Sequence, residues 1–146
     1  MLKGLVVGLA LVSICAVFHI IGLLLIANSL VRRWWRLERE FSITNNSLIL
    51  AGVFSLIILL HLAETAIWAV YYDLWGLFND LETSVYFSLK TYSTIGYGDV
   101  LLPEGWRLLG GLEGIAGILL CGLSAAFLFA IVSEMFKAPI ERKNRR

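Results

Sequence analysis

The chain has 146 residues, of which 59% are hydrophobic and 16% are charged. A soluble domain of this length could not bury so much apolar surface, whereas a lipid bilayer can accommodate it, so the composition excludes an ordinary soluble protein. Twelve basic and eleven acidic residues give a formal net charge of +1, which indicates no nucleic-acid partner.

The first long apolar segment runs from about Leu5 to Leu30. It exceeds the roughly 20 residues that cross a bilayer core as a helix, so residues 1–31 are predicted to form an N-terminal transmembrane helix. A cleaved signal peptide is the alternative. Its apolar region is roughly 7–15 residues long and follows positive charge. Here only Lys3 precedes the apolar run, and the arginines follow it, which favours a spanning helix.

Positive charge predicts the orientation. Residues 32–47 form an arginine-rich linker and residues 137–146 form a basic tail, and both are predicted to be cytoplasmic. Two crossings must lie between them, and the apolar stretches from about Leu48 to Tyr72 and from Trp106 to Met135 provide these. The N-terminus then lies outside and the C-terminus lies in the cytoplasm. The sequence therefore predicts an all-α, multi-pass protein of a plasma membrane with three transmembrane helices.

The connection between the second and third helices is predicted to face outward, and it is too apolar for a plain loop. Residues 81–93 read L-E-T-S-V-Y-F-S-L-K-T-Y-S, which is enough for about three helical turns but too short to cross the membrane. Asp80 or Thr83 could cap this short helix. A short helix that enters from outside and leads into a glycine-containing strand is a re-entrant loop, which survives at membrane depth only where protein buries it or where it lines water.

Residues 94–99 read T-I-G-Y-G-D and have the composition of a cation filter. Backbone carbonyls can replace the water of a cation if the chain is extended with successive carbonyls on one side, and Gly96 and Gly98 tolerate the required dihedral angles. The Thr94 hydroxyl can add an inner ring of oxygens, and the Tyr97 hydroxyl can anchor the strand to a neighbouring helix. The preceding helix directs its partially negative C-terminus towards the same point, which favours a cation there.

This segment resembles the T-V-G-Y-G filter of potassium channels. The order of outer helix, pore helix (81–93), filter (94–99) and inner helix (106–135) makes residues 48–136 similar to the pore domain of bacterial potassium channels. The whole chain resembles small three-helix members of that pore-loop superfamily without a regulatory domain. The resemblance implies a homotetramer in lipid that conducts K⁺ passively, with no enzymatic reaction and no cofactor besides K⁺ ions in the filter. The implied coordinating residues are Thr94, Ile95, Gly96, Tyr97 and Gly98, with K⁺ at the first four.

Two alternatives stay open. A nonselective cation channel could have the same fold, although such relatives often lack the tyrosine that is present here. A non-conducting scaffold or transporter subunit could retain the loop as a vestige, but the intact glycines and the tyrosine argue against it.

Two residues near the filter depart from the pattern. Lys90 stands where many relatives have a carboxylate or an apolar residue, and it could either pair with Asp99 and brace the filter or extend towards water without a role. Phe87 stands where some relatives have a tryptophan that donates a hydrogen bond to the aspartate, which phenylalanine cannot do.

Glu64 and Glu113 are carboxylates inside predicted spans, where a charge is costly and usually has a partner or a task. They could hydrogen-bond to the pore helix, to His61 or to each other, and so act as structural buttresses. A proton sensor that gates the channel is the alternative. His19 is predicted to be buried and hydrogen-bonded.

The third spanning helix carries the candidate gating residues. Resemblance to other inner helices implies a hinge at Gly117, and Gly122 is a second flexible point. Ala125, Phe129 and Ser133 recur every four residues and share one face. Phe129 could form an apolar constriction that closes by dewetting, or this face could simply pack against other helices.

Overall fold

The computed structural model describes residues 2–36 and 43–144, and these form helices joined by short connections. Three helices are long and apolar enough to cross a membrane, and a fourth, much shorter helix lies between the second and third. The predicted all-α fold class is therefore confirmed. The helices are α1 (Leu2–Arg36), α2 (Ile43–Leu74), α3 (Leu81–Tyr92) and α4 (Arg107–Asn144), with a 3₁₀ turn at Glu104–Trp106.

The long helices do not stop where their apolar runs stop. α1 continues past residue 31 to Arg36, and α4 continues past residue 135 to Asn144. A helix satisfies its own backbone hydrogen bonds, so it can extend beyond the apolar layer. Residues 1, 37–42 and 145–146, and the side chains of residues 33–36, 136 and 138–144, lie outside the described residues. Most of the basic groups behind the orientation prediction are among them.

α1 packs against α4 and α2 of its own chain. A Cβ atom built at Gly8 would lie 2.4 Å from Leu112 Cδ1, and one built at Gly22 would lie 2.5 Å from Leu60 Cδ2. Small residues thus let the helices approach closely, as is usual in membranes. The other apolar side chains of α1 are largely exposed, as expected for contact with lipid. The buried positions form one stripe at helical spacing: Leu11, Cys15, His19, Leu23 and Ile26.

α3 begins at a side-chain cap. Asp80 accepts hydrogen bonds from the Thr83 backbone N–H at 2.7 Å and from the Thr83 hydroxyl at 3.0 Å. These bonds favour the charged carboxylate and lower the pKa of Asp80. Between α2 and α4, the ring of Phe87 packs 5.4 Å from that of Tyr72 and 4.9 Å from that of Phe78, centroid to centroid. The cap and this aromatic cluster fix where α3 begins and how it packs against its neighbours.

α4 approaches the C-terminal end of α3 closely, with glycines of α4 facing backbone carbonyls of α3. A Cβ atom built at Gly117 would lie 2.0 Å from the Tyr92 carbonyl oxygen, and one at Gly114 would lie 3.5 Å from the Thr91 carbonyl oxygen. Only glycine permits the first of these approaches. The structure therefore gives Gly117 a packing requirement, whereas the sequence suggested a hinge.

Candidate functional site

Residues 94–99 follow α3 without regular secondary structure, and this segment, called the strand 94–99, has an alternating backbone conformation. Thr94, Gly96 and Gly98 have φ of 60°, 53° and 77°, whereas Ile95 and Tyr97 do not have positive φ. In an ordinary extended chain, successive carbonyls point to opposite sides. Reversing φ at every second residue turns them towards a common side. Thr94 is the only non-glycine with positive φ among the described residues, and such strain, of order 1–3 kcal/mol, clusters at functional sites.

The strand is hydrogen-bonded to α3 at its N-terminal end and is exposed along its length. The Thr94 N–H donates to the Thr91 carbonyl at 3.0 Å, and the Gly96 N–H donates to the Lys90 carbonyl at 3.1 Å. The side chain of Tyr97 is 72% exposed, and nothing lies within 4 Å of a Cβ built at Gly96 or Gly98. The chain itself thus covers little of the segment 94–99.

The outer end of the strand is held by Asp99. Lys90 Nζ donates to Asp99 Oδ1, and the Tyr86 hydroxyl donates to Asp99 Oδ2 at 2.7 Å. The Lys90 ammonium also lies 4.6 Å from the centre of the Tyr86 ring. Lys90, and then Tyr86, stabilise the ionised carboxylate and lower the pKa of Asp99 to about 2. Lys90 is buried behind the strand. Its contact with Asp99 is the one that the bracing hypothesis requires.

Tyr86 is a residue that the sequence reasoning missed. Phe87 cannot donate a hydrogen bond to Asp99, as the sequence indicated, whereas the adjacent Tyr86 does. The available signal was spacing, because Tyr86 and Lys90 are four residues apart and therefore share a face of α3.

Glu113 is fully buried and joins three helices. Its carboxylate accepts from the Tyr72 hydroxyl of α2 at 2.7 Å and from the Ser88 hydroxyl of α3. Ser88 Oγ also lies 2.8 Å from the Thr65 carbonyl oxygen of α2. Contact with the pore helix was one of the partnerships considered from the sequence.

Glu64 is also fully buried, and like Glu113 it contacts α3, but it also reaches α1. Its Oε1 lies 2.7 Å from His19 Nδ1 of α1, and its Oε2 contacts the Tyr92 hydroxyl at the end of α3. His61 Nδ1 lies 3.3 Å from the same Oε2 atom. The buttress hypothesis and the proton-sensor hypothesis both remain predictions for Glu64 and Glu113.

Ser124 of α4 completes the cluster around Glu64. Its hydroxyl oxygen lies 2.9 Å from His19 Nε2 and 3.1 Å from His61 Nε2. Sequence reasoning did not find Ser124 or Tyr92, because nothing in the local pattern relates a serine to a histidine 105 positions earlier.

The candidate gating residues of α4 are not covered by the other helices of the chain. The Phe129 side chain is 74% exposed, and a Cβ built at Gly122 would meet nothing within 4 Å. Both positions are therefore free of the chain's own helices, and the constriction at Phe129 and the flexible point at Gly122 stay predictions.

The chain has three membrane-capable helices, with a short helix and a strand of alternating φ between the last two. These features define a multi-pass membrane protein of the pore-loop class. A family model described as "Ion channel" matches residues 56–134, more than half of the chain. The chain therefore belongs to this family of two-transmembrane ion channels, and the predicted membership of the pore-loop superfamily is confirmed. The match points to a channel and not to an enzyme, and α1 lies outside it. Neither the curated proteins nor the solved structures gave a match.

Proposed function

We propose that the protein is one subunit of a homotetrameric, potassium-selective channel that conducts K⁺ passively across a bacterial plasma membrane. The observation that carries the proposal is the positive φ at Thr94, Gly96 and Gly98, alternating with Ile95 and Tyr97. Several such strands around an axis would present stacked rings of carbonyl oxygens, the ligand set by which potassium filters replace water.

The exposure of the strand supports assembly. One strand cannot surround an ion, and the side chains of Ile95 and Tyr97 are 57% and 72% exposed in the single chain. Neighbouring subunits would cover these side chains and close the ring, and a four-fold axis satisfies both needs with identical contacts.

The charges near the strand support a monovalent cation that is dehydrated and passes through quickly. The first carboxylate in the segment is Asp99, and Lys90 and Tyr86 already hold its oxygens. The C-terminal end of α3 is adjacent to Thr94 and contributes partial negative charge without a carboxylate in the conduit.

Reversal potentials in planar bilayers test the proposal. We expect the reversal potential of the purified protein to follow the K⁺ gradient, by about 59 mV for each tenfold ratio at 25 °C, with little response to Na⁺. Gly96→Ala should abolish selective conduction, because a Cβ at φ of 53° is strained whatever the available space. Gly52→Ala is the matched control, since Gly52 lies in α2 with nothing within 4 Å of its Cβ position.

The outcomes separate the alternatives. Equal permeability to K⁺ and Na⁺ would replace potassium selectivity with a nonselective cation channel of the same fold. Absence of flux from protein that is folded and assembled would favour a non-conducting scaffold or transporter subunit.

A further inference from the structure

Side chains from four helices meet in a buried cluster inside the membrane-spanning region. His19, His61 and Glu64 each place one ligand atom so that these atoms all lie within 4.8 Å of one another. His19 and Glu64 are fully buried, and His61 is largely so. We propose that this cluster binds one divalent transition-metal ion of the zinc type per chain, with His19 Nδ1, His61 Nδ1 and the Glu64 carboxylate as ligands.

The donor set selects the class of metal. Two imidazole nitrogens and one carboxylate suit Zn²⁺ and similar ions, whereas Ca²⁺ and Mg²⁺ prefer sites made of oxygen alone. The carboxylate already lies between the two imidazoles, with Nδ1 to oxygen distances of 2.7 Å for His19 and 3.3 Å for His61. Ligands of tetrahedral zinc are roughly 3.3 Å apart for bonds of about 2.0–2.1 Å, so a small outward shift of the side chains would admit an ion.

The outer shell of the site is also in place. A histidine that binds metal through Nδ1 carries its proton on Nε2, and that N–H usually donates to a fixed oxygen. Both Nε2 atoms here face one oxygen, Ser124 Oγ, at 2.9 and 3.1 Å. A hydroxyl has two acceptor lone pairs, so Ser124 can accept from both histidines at once. This arrangement is the independent observation that supports a metal over a chance grouping of polar side chains.

Tyr92 provides the fourth position and the charge balance. Its hydroxyl lies 2.9 Å from His61 Nδ1 and contacts Glu64 Oε2. A bound M²⁺ with the Glu64 carboxylate and a Tyr92 phenolate is electrically neutral, which matters because an uncompensated charge is costly in a buried site.

Without a metal ion, protons satisfy the polar atoms of the cluster through hydrogen bonds. The same side chains form a closed ring of five contacts, from Glu64 through His19, Ser124, His61 and Tyr92 back to Glu64. When the ring is electrically neutral it holds five exchangeable protons, one for each contact. With M²⁺ bound it holds three, on the two Nε2 atoms and on the serine. Binding one ion therefore releases two protons and involves no change of oxidation state.

The site would give α1 a function. His19 lies on α1, and Tyr92 is the last residue of α3, two positions before Thr94. A metal ion would thus join the first helix directly to the end of the pore helix, from which the strand 94–99 begins.

Cobalt binding to the purified, full-length protein in detergent tests the proposal. We expect one Co²⁺ per chain, with visible d–d bands typical of four-coordinate nitrogen and oxygen ligation, and displacement by Zn²⁺. Ser124→Ala should weaken binding by roughly 10–100-fold, the usual effect of losing an outer-shell partner. His19→Gln removes a ligand and should weaken binding more than Ser124→Ala does. The control is Glu104→Gln, a carboxylate that is 90% exposed, and its affinity should equal that of the parent.

Absence of Co²⁺ and Zn²⁺ binding would overturn the proposal and leave the ring as a hydrogen-bonded tie. Equal affinity of His19→Gln and Glu104→Gln would also overturn it. If His19→Gln does not fold, X-ray absorption of the zinc-loaded parent decides. Two imidazoles in the inner shell would support the site, and a shell of oxygen alone would contradict it.

Discussion

The outer end of the strand at residues 94–99, where Asp99 lies, and the interior of the helix bundle both use carboxylates, but in opposite surroundings. The side chain of Asp99 is 47% exposed, so water can replace a lost partner. Glu64 and Glu113 are fully buried, and neither water nor lipid is available there as a partner. We therefore expect the outer contacts to adjust the strand and the interior contacts to stabilise the fold.

Typical magnitudes support this ranking. Exposed ion pairs contribute about 0–1 kcal/mol, whereas each buried polar group left without a partner costs about 1–3 kcal/mol. Variants in the interior should therefore lower the free energy of unfolding more than variants at the outer end do.

The largest effect is expected for Gly117→Ala. The added Cβ would meet the Tyr92 carbonyl oxygen at 2.0 Å, and a backbone atom cannot move without displacing α3. We expect a loss of about 3 kcal/mol in the free energy of unfolding, measured by urea denaturation in detergent. Gly122→Ala is the control, because its Cβ position is open, and it should change stability by less than about 0.5 kcal/mol. Unchanged stability with altered opening would instead favour the hinge that the sequence suggested.

An intermediate effect is expected for Glu113→Leu. The change removes the acceptor of the Tyr72 hydroxyl, which stays buried, and leaves the Ser88 hydroxyl with the Thr65 carbonyl as its acceptor. We expect destabilisation by about 2 kcal/mol in the same assay, with a smaller loss for Glu113→Gln, which keeps one acceptor oxygen. Glu104→Gln should be nearly neutral, since that side chain is 90% exposed. If Glu113→Leu were as mild as this control, the contrast between interior and outer carboxylates would be wrong.

The smallest effect on stability is expected for Lys90→Met. In the parent the pKa of Asp99 is lowered from 3.8 to about 2, so the stability that depends on its charge is present above pH 3.8 and is lost as the pH falls towards 2. Without Lys90 that loss should be smaller and should be complete at a higher pH, because the pKa of Asp99 in the folded protein would be lowered less. Unfolding at pH 7 should change by less than about 1 kcal/mol, and this difference from the parent should shrink as the pH falls towards 2, while single-channel open lifetimes should differ from the parent.

Tyr86→Phe provides the comparison for Lys90→Met, because it removes the other donor to Asp99 and leaves the lysine in place. The effect of Tyr86→Phe on stability should be smaller than that of Lys90→Met, since Lys90 contributes more than Tyr86 to the low pKa of Asp99. Open lifetimes and selectivity of Lys90→Met that match the parent would contradict the bracing role.

The fold was predictable because its signals are local. Long apolar runs indicate spanning helices, and Asp80 three residues before Thr83 indicates where a short helix begins. The pairing of Lys90 with Asp99 was one of two options for this lysine. It could be inferred from the sequence because both residues flank the same short strand.

The interior contacts were not predictable in the same way. Apolar runs do not specify the rotation of a helix about its axis, so the sequence could not decide which partners Glu64 and Glu113 find. The contact between His19 and Ser124 depends on how α1 and α4 pack, and no local pattern records that. Gly117 shows a related limit, because a helical glycine is equally compatible with bending and with close approach.

The uncovered strand at residues 94–99 has a consequence for biosynthesis. A newly inserted subunit holds left-handed backbone at Thr94, Gly96 and Gly98 without cover from its own chain. In the proposed tetramer, that segment would become a conduit only when partners arrive, so translation and insertion would finish before any ion can cross. A cell making such a protein would keep its membrane potential while unassembled copies accumulate, without a separate inhibitor.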